Sequence, residues 1–197
     1  MIQSDRIPIY YSYVETFLEK DSVYVCDCDP DTFKELITKK KECPCRNLGI
    51  EEQKKRWKRM LQKSGKDGYK EGEAVLRFKS DVHHKNPALR DFPLARINEA
   101  KHPRQGKTYR VWPLMNLSVC VDDIEFGSTH IIRAQDHQDN ALRQEMMFEA
   151  LGKKVPETMF MGKYHFTDLE ISASKTREKI AAGEFDGYVA EPRAYEW

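Results

Sequence analysis

Apolar positions recur at helical spacing from Asp5 to Lys20, where Ile7, Tyr10, Tyr13, Val14, Phe17 and Leu18 share one stripe. The spacing predicts a helix there, capped by Asp5 and tolerating Pro8 in its first turn. Val23–Val25 predicts a short strand, Asp31 to Lys40 a short helix, and Glu51 to Lys63 an amphipathic helix with Trp57, Met60 and Leu61 on one side. The glycine- and lysine-rich run from Ser64 to Glu73 reads as a loop. Beyond it, Ala74, Leu76 and Phe78 alternate with Val75, Arg77 and Lys79, as in a half-buried strand. Asn86-Pro87 and Phe92-Pro93 punctuate the next segment; Ala95–Ile97 predicts another strand, and Lys101 to Lys107 a polar loop. Tyr109–Trp112 and Leu117–Val121 predict two more strands, the second with polar groups clustered at its end, and Gln138 to Leu151 a long helix. From Lys163 onward the apolar periodicity lapses, except for a short helix around Thr176–Ala182 stopped by Gly183.

Composition narrows the class. With 197 residues, 40% hydrophobic and 33% charged, the chain has material for a core and a heavily solvated surface. A net charge of +1 means that any affinity for nucleic acid comes from local patches. No apolar run approaches the roughly 20 residues that span a membrane, and Met1–Tyr11 lacks the layout of a signal peptide. The expected location is cytoplasmic, with no membrane partner.

Five cysteines fall unevenly: Cys26, Cys28, Cys43 and Cys45 sit together and Cys120 stands apart in an apolar run, as core packing. Two C-x-C pairs separated by 14 residues offer four thiolates, the donor set of a closed tetrahedral zinc site. The neighbouring Lys39, Lys40, Lys41 and Arg46 favour thiolate over thiol. The alternatives are four reduced cysteines without a ligand, or disulfides, which a cytosolic compartment disfavours. A fully ligated ion has no open position, so its role would be structural.

Positive charge gathers in two places. Lys54, Lys55, Arg56, Lys58 and Arg59 lie on the Trp57 helix, either as a solvated face balanced by Glu51 and Glu52 or as a phosphate-contacting ridge. Lys79, Arg90, Arg96, His102 and Arg104 add charge within the strand-rich segment.

Several blocks carry a resemblance. Glu71–Ile97, with a strand followed by Asn86, Pro87, Leu89, Arg90 and Asp91, is similar to the insertion domain of glutamyl-tRNA synthetases, which grips the acceptor end of the tRNA. WPLMNLSVCVDD, GSTHIIR and QDHQDNALRQ within Tyr109–Gln144, then ISASKTR and GEFDGYVAEPR, resemble further blocks of the archaeal-type glutamyl enzymes in the same order. The paired cysteines match the family's zinc-bearing insertion. The resemblance implies an α/β fold: part of a class I nucleotide-binding, Rossmann-like fold with a zinc-bearing mixed α/β insertion, its sheet expected to be mixed. It also implies a reaction, in which glutamate and ATP with Mg2+ form glutamyl-adenylate and glutamate is then esterified to the tRNA 3′ end.

By the same resemblance, Arg133 matches the arginine that helps hold the amino acid, and its planar fork suits a carboxylate. An ion pair with Asp122 or Asp136 is its structural alternative. Met115 stands where many bacterial members have a substrate-contacting tyrosine; Asn116 and Ser118 are polar pocket candidates. Thr129, His130, Asp136 and His137 are expected around one strand end, where open α/β folds place ligands, with His137 as a nucleotide contact. Ser174, Lys175 and Thr176 fall on the last three positions of the family's lysine-methionine-serine-lysine-serine loop, while Ser172 and Ala173 replace its first two residues. Lys175 is thus the expected catalytic cation on ATP phosphate, with Ser172 and Ser174 beside it, and Arg90, Arg96 and Lys79 are the expected tRNA contacts. The expected layout is residues 1–23 as the tail of the first half-fold, 24–108 as the insertion, 109–165 as the second half-fold and 166–197 as signature loop and connector. The family's histidine-rich ATP signature and anticodon-binding domain find no match, so the chain reads as a central fragment, inactive by itself. A glutaminyl-tRNA synthetase piece or a truncated glutamyl-queuosine-type relative is one alternative; Arg133 opposes the glutaminyl reading. A non-catalytic, zinc-containing RNA-binding module is another.

Overall fold

A computed structural model describes residues 1–63, 67–162 and 172–184. Residues 1–161 make one compact unit and residues 162–197 a second. In the first, α1 (Ile7–Glu19) buries Ile7, Tyr10, Val14, Phe17 and Leu18, as its periodicity predicts. Its N-terminus differs from expectation: a 3-10 turn (Gln3–Asp5) precedes it and Arg6 holds the cap position without a side-chain cap. Asp5 instead accepts hydrogen bonds from Arg104 and Gln105, whose fixed cationic and amide donors outcompete helix N–H groups.

Strands β1 (Val23–Cys26), β2 (Val75–Phe78), β3 (Pro93–Ile97) and β4 (Val111–Pro113) form a sheet in that order, every neighbour antiparallel. The expected mixed sheet is therefore corrected. Alternation that buries Leu76 and Phe78 but only half-buries Val75 and Arg77 is the mark of an antiparallel sheet with unlike faces. Between β1 and β2 lie α2 (Pro30–Thr38), capped by Asp29, which accepts from the N–H of Asp31 and Thr32, and α3 (Ile50–Leu61).

Leu117–Val121 is not a strand. It lies within α4 (Met115–Glu125), with Leu117, Cys120 and Val121 buried at i, i+3 and i+4. Four apolar residues within five positions are compatible with either period; burial of Asn116, Ser118 and Asp122 on the same helix resolves it. Two strands escaped the sequence reading: β5 (His130–Ala134) and β6 (Glu157–Met161) pair in parallel, joined by α5 (Gln138–Leu151), which ends at Gly152 with φ 67°. Turn residues bound both, Gly127-Ser128 before β5 and Pro156 and Gly162 around β6, but both leave large apolar side chains in the open, including Ile132, Met159 and Met161.

One core joins α1, α3, the sheet, α4 and α5, with Trp57, Phe17, Leu76, Leu94, Leu117 and Met147 at its centre. A smaller cluster on the other face of β1 gathers Tyr24, Cys26, Phe33, Ile37, Cys43, Cys45 and Val82. In the second unit, α6 (Ala173–Ala181) begins at Ser172, whose hydroxyl accepts from the Lys175 N–H, and Gly183 follows it at φ 75°. The GEFDGYVAEPR block lies outside the described residues beyond Glu184.

Candidate functional site

Cys26 closes β1 and Cys28 follows it, while Cys43 and Cys45 flank Pro44 at a 3-10 turn (Pro44–Asn47). All four sulfurs lie within 4.8 Å of one another. Cys26–Cys43 is 3.5 Å, Cys28–Cys43 3.2 Å and Cys28–Cys45 3.6 Å, and all five cysteines of the chain are free thiols. A tetrahedral ion with sulfur at ~2.3 Å separates its sulfurs by about 3.8 Å, so the donor set and its spacing fit a metal after a slight expansion. Crowding drives the four thiols apart in acidity. Hydrogen bonds from Cys43 and then Cys45 hold Cys26 down at about 2. Burial pushes Cys28 up to about 12, and hydrogen bonding to Cys26 raises Cys43 further.

The support of this cluster was not anticipated. Gln53, 1% exposed, accepts from the Val25 N–H at 2.8 Å and donates to the Cys45 carbonyl at 2.6 Å, tying the two cysteine loops together. Its signal was present in the sequence: Gln53, Trp57 and Met60 share the apolar stripe of α3, where a glutamine has to find partners. Asp27 lies between the first two cysteines and is held by Arg56 at 2.8 Å and the Tyr69 hydroxyl at 3.1 Å. Much of the expected basic ridge on α3 is consumed this way. Arg56 pairs with Asp27 and Glu52, Lys54 with Glu19 and Glu51, and Arg59 stacks on Tyr69.

The Asn86–Asp91 stretch is built inward. Asp91, fully buried at φ 36°, accepts from the Tyr24 hydroxyl, the Arg46 guanidinium and the Ser80 N–H. Arg90 is also buried, its guanidinium donating to the carbonyls of His84, Ile37 and Lys85. Those donors serve the fold, whereas the sequence reading has Arg90 as an RNA contact. Lys79 pairs with Asp21. Of the three expected RNA contacts, Arg96 is the exposed one without an ion pair among the described residues.

The adjacent aspartates of α4 face different ways. Asp122 accepts from Gln3, Arg6 and Tyr10, so it is not the partner of Arg133. Asp123 is, with 3.6 Å between Arg133 Nη2 and Asp123 Oδ2. That gap is too long for a hydrogen bond, and Asp123 Oδ2 makes none. Burial raises the Asp123 carboxyl and lowers the Arg133 guanidinium, so each carries an incompletely compensated desolvation cost. Such an arginine keeps donors for a second carboxylate.

The other candidates are dispersed. Met115 is 43% exposed at the start of α4, whereas Asn116 is buried and accepts from the Gln144 amide at 3.4 Å. Ser118 is buried, its hydroxyl directed back at the carbonyls of Leu114 and Met115. Thr129 and His130 lie at the start of β5, but Asp136 and His137 lie beyond its far end, roughly 15 Å away for a five-residue strand. The expectation of one shared strand end is thereby corrected. A cavity of about 410 Å³ lies at the starting end, lined by Asp123, Thr129, His130, Lys153 and Glu157 among others. His137 is exposed, with Nδ1 3.1 Å from the Asn140 amide. In the second unit, Lys175 is exposed in the first turn of α6, and the hydroxyls of Ser172 and Ser174 are 3.3 Å apart. Helix N–H groups and a lysine at one helix start suit an anion.

Comparison with known proteins gives these features a context. A family model described as the catalytic domain of class I tRNA synthetases (E and Q) matches residues 1–183. The glutamate–tRNA ligase of Methanothermobacter thermautotrophicus is 44% identical over 188 residues, 95% of this chain and 33% of that protein. That of Pyrococcus horikoshii is 45% identical over 186 residues, 94% of this chain and 32% of its own. The chain thus spans about a third of the length of the curated relatives it matches. Among solved structures, a glutamate–tRNA ligase of Elizabethkingia meningosepticum in complex with its amino acid has a TM-score of 0.51 at 19% identity. The overlap covers 92% of this chain and 37% of that one, and supports the fold.

Proposed function

We propose, for a chain that belongs to the class I tRNA synthetase (E and Q) catalytic-domain family, a part in glutamate–tRNA ligation: ATP-dependent activation of glutamate and its transfer to the tRNA 3′ end. The observation that carries the amino-acid assignment is Arg133, half-buried against a carboxylate too distant to satisfy it. A guanidinium fork in that state binds the carboxylate of glutamate more strongly than the neutral amide of glutamine. Lys175, with Ser172 and Ser174 at the start of α6, would meet ATP phosphate charge, which Mg2+ shares when bound. Met115 and Asn116 stand as amino-acid pocket residues and His137 as a nucleotide contact. Arg96 is the tRNA contact that its exposure supports.

The same reading divides the chain into residues 1–23 and 109–165 as parts of the nucleotide-binding fold, 24–108 as the acceptor-binding insertion and 166–197 as loop and connector. Cys26, Cys28, Cys43 and Cys45 hold Zn2+ in a structural role, since four thiolates leave it no open position. Among the described residues no helix is long and apolar enough to cross a membrane, in keeping with a cytoplasmic enzyme.

The test is ATP–pyrophosphate exchange. The chain alone is expected to give none. A chimera in which it replaces the matching third of the Methanothermobacter enzyme is expected to exchange with glutamate, and Arg133→Gln in that chimera to lower kcat/KM for glutamate by about 10- to 100-fold, as lost charge-assisted hydrogen bonds do. Robust exchange by the chain alone, or a chimera preferring glutamine, would overturn the reading.

A further inference from the structure

The four thiols of the sulfur cluster are unequal in access. Cys26, Cys43 and Cys45 are 2%, 0% and 5% exposed, whereas Cys28 is half-buried. Cys28 is also the cysteine that lines a cavity of about 450 Å³, where Asp27, Asp29, Arg59, Tyr69 and Glu73 are its neighbours. A small neutral molecule arriving from solvent therefore meets Cys28 before the other three. Cys120, fully buried in α4, does not compete.

Behind Cys28 the sulfurs differ as well. Cys43 Sγ lies 3.2 Å from Cys28 Sγ, and Cys45 Sγ 3.6 Å. The Cys45 thiol is engaged elsewhere, donating to Asp27 Oδ1 at 3.0 Å, and Asp27 is itself fixed by Arg56 and Tyr69. Cys26 closes β1, where the ladder to β2 holds its backbone, while Cys43 sits outside the sheet at the start of a 3-10 turn. An accessible thiol poised against a second, buried one is the arrangement of a redox-responsive pair. On a tetrahedral ion the two sulfurs stand about 3.8 Å apart. Closing to the ~2.05 Å of a disulfide then draws them together by less than about 2 Å.

We propose that Cys28 and Cys43 form a peroxide-responsive pair, in which Cys28 is the site of oxidation and Cys43 resolves it to a disulfide. The Cys28 thiolate attacks one oxygen of hydrogen peroxide and the O–O bond breaks, leaving a sulfenic acid on Cys28 and releasing hydroxide. The Cys43 thiolate attacks the Cys28 sulfur, the S–O bond breaks and a second hydroxide leaves. Each hydroxide takes a proton from solvent and becomes water. The two sulfurs have lost two electrons, and the two peroxide oxygens have gained them. Cys26 and Cys45 alone no longer offer the four-donor set of a structural zinc site. That consequence rests on the zinc assignment proposed above, whereas the thiol pair rests on access and distance. A transient disulfide of this kind suits a reducing compartment, which restores the thiols.

The unsubstituted chain, loaded with one equivalent of zinc, is treated with hydrogen peroxide beside a chromophoric chelator. Peptide mapping by mass spectrometry is expected to show a Cys28–Cys43 disulfide. One zinc ion should be released for each disulfide formed, and dithiothreitol should reverse both changes. With dimedone present during oxidation, the sulfenic acid adduct is expected on Cys28. Adducts chiefly on Cys26, Cys43, Cys45 or Cys120, or Cys28 paired with Cys45 instead, overturn the proposal. So does a cluster that stays reduced under excess peroxide. No cysteine is replaced, so the map does not depend on a variant folding. A chain that takes up no zinc removes the metal assignment, and the disulfide map of that same chain still decides the pair. The ligase reading is left to the exchange assay.

Discussion

Tyr10 and Asp122 are 112 positions apart in the chain, yet the tyrosine hydroxyl lies 3.0 and 2.9 Å from the two oxygens of the aspartate in a buried contact. Arg6 and Gln3 complete the carboxylate's partners, so the first turns of the protein are fastened to the middle of α4. Tyr10→Phe preserves packing and removes one donor from a buried charge. It should cost about 1–3 kcal/mol, measured as a lower urea midpoint with the slope unchanged.

Asp91 is the charge on which three elements converge. Asp91→Ala strands the Arg46 guanidinium and the Tyr24 hydroxyl and places alanine at positive φ. The expected loss is about 3–5 kcal/mol. Asp91→Asn, which tolerates the same backbone conformation, should lose less; equal losses in urea denaturation would show that backbone and volume, not charge, set the cost.

Gln53→Leu keeps the bulk of the buried side chain while cutting the bridge between Val25 and Cys45. Supporting groups around metal ligands typically contribute 10–100-fold in affinity. Zinc content of purified chain should be close to one per molecule, and competition with a chromophoric chelator should show Gln53→Leu releasing the ion 10–100-fold more readily.

Burial raises the Asp123 carboxyl above its usual value, so between the unfolded and folded titrations the native state holds more protons than the unfolded one. Stability from this residue is therefore greatest below the unfolded value and declines as pH rises through the folded one. Asp123→Asn should flatten thermal stability against pH in the interval just above the ordinary carboxylate value. An unaltered profile would mean that Arg133 fully compensates the charge.

The helix over Ile7–Glu19 and the strand at Val75–Phe78 could be read in advance, because each carries a 3.6- or 2-residue period over enough positions. Leu117–Val121 misled for the opposite reason: four apolar residues in five positions, broken only by Ser118, fit both periods. β5 and β6 were illegible because exposed Ile132, Met159, Phe160 and Met161 destroy the one-sided pattern that marks a strand. The cysteines announced themselves through spacing. Arg90 did not announce its burial, since an arginine drawn inward by carbonyls looks in sequence like one reaching outward. Nor could spacing tell which neighbouring aspartate turns to Arg133; that depends on Tyr10 and Arg6, more than a hundred residues away, occupying Asp122.

β1 shows Val23 and Val25 to the main core, and Tyr24 and Cys26 to the sulfur cluster. A slip of one residue against β2 would exchange these sets, sending a thiol and a phenol into hydrocarbon and two valines among the sulfurs. An ion bound by Cys26 and Cys28 would oppose that slip. Through the ladder from β1 to β4, it would also help fix where Trp112 stands along the sheet, a ruler for strands it does not touch.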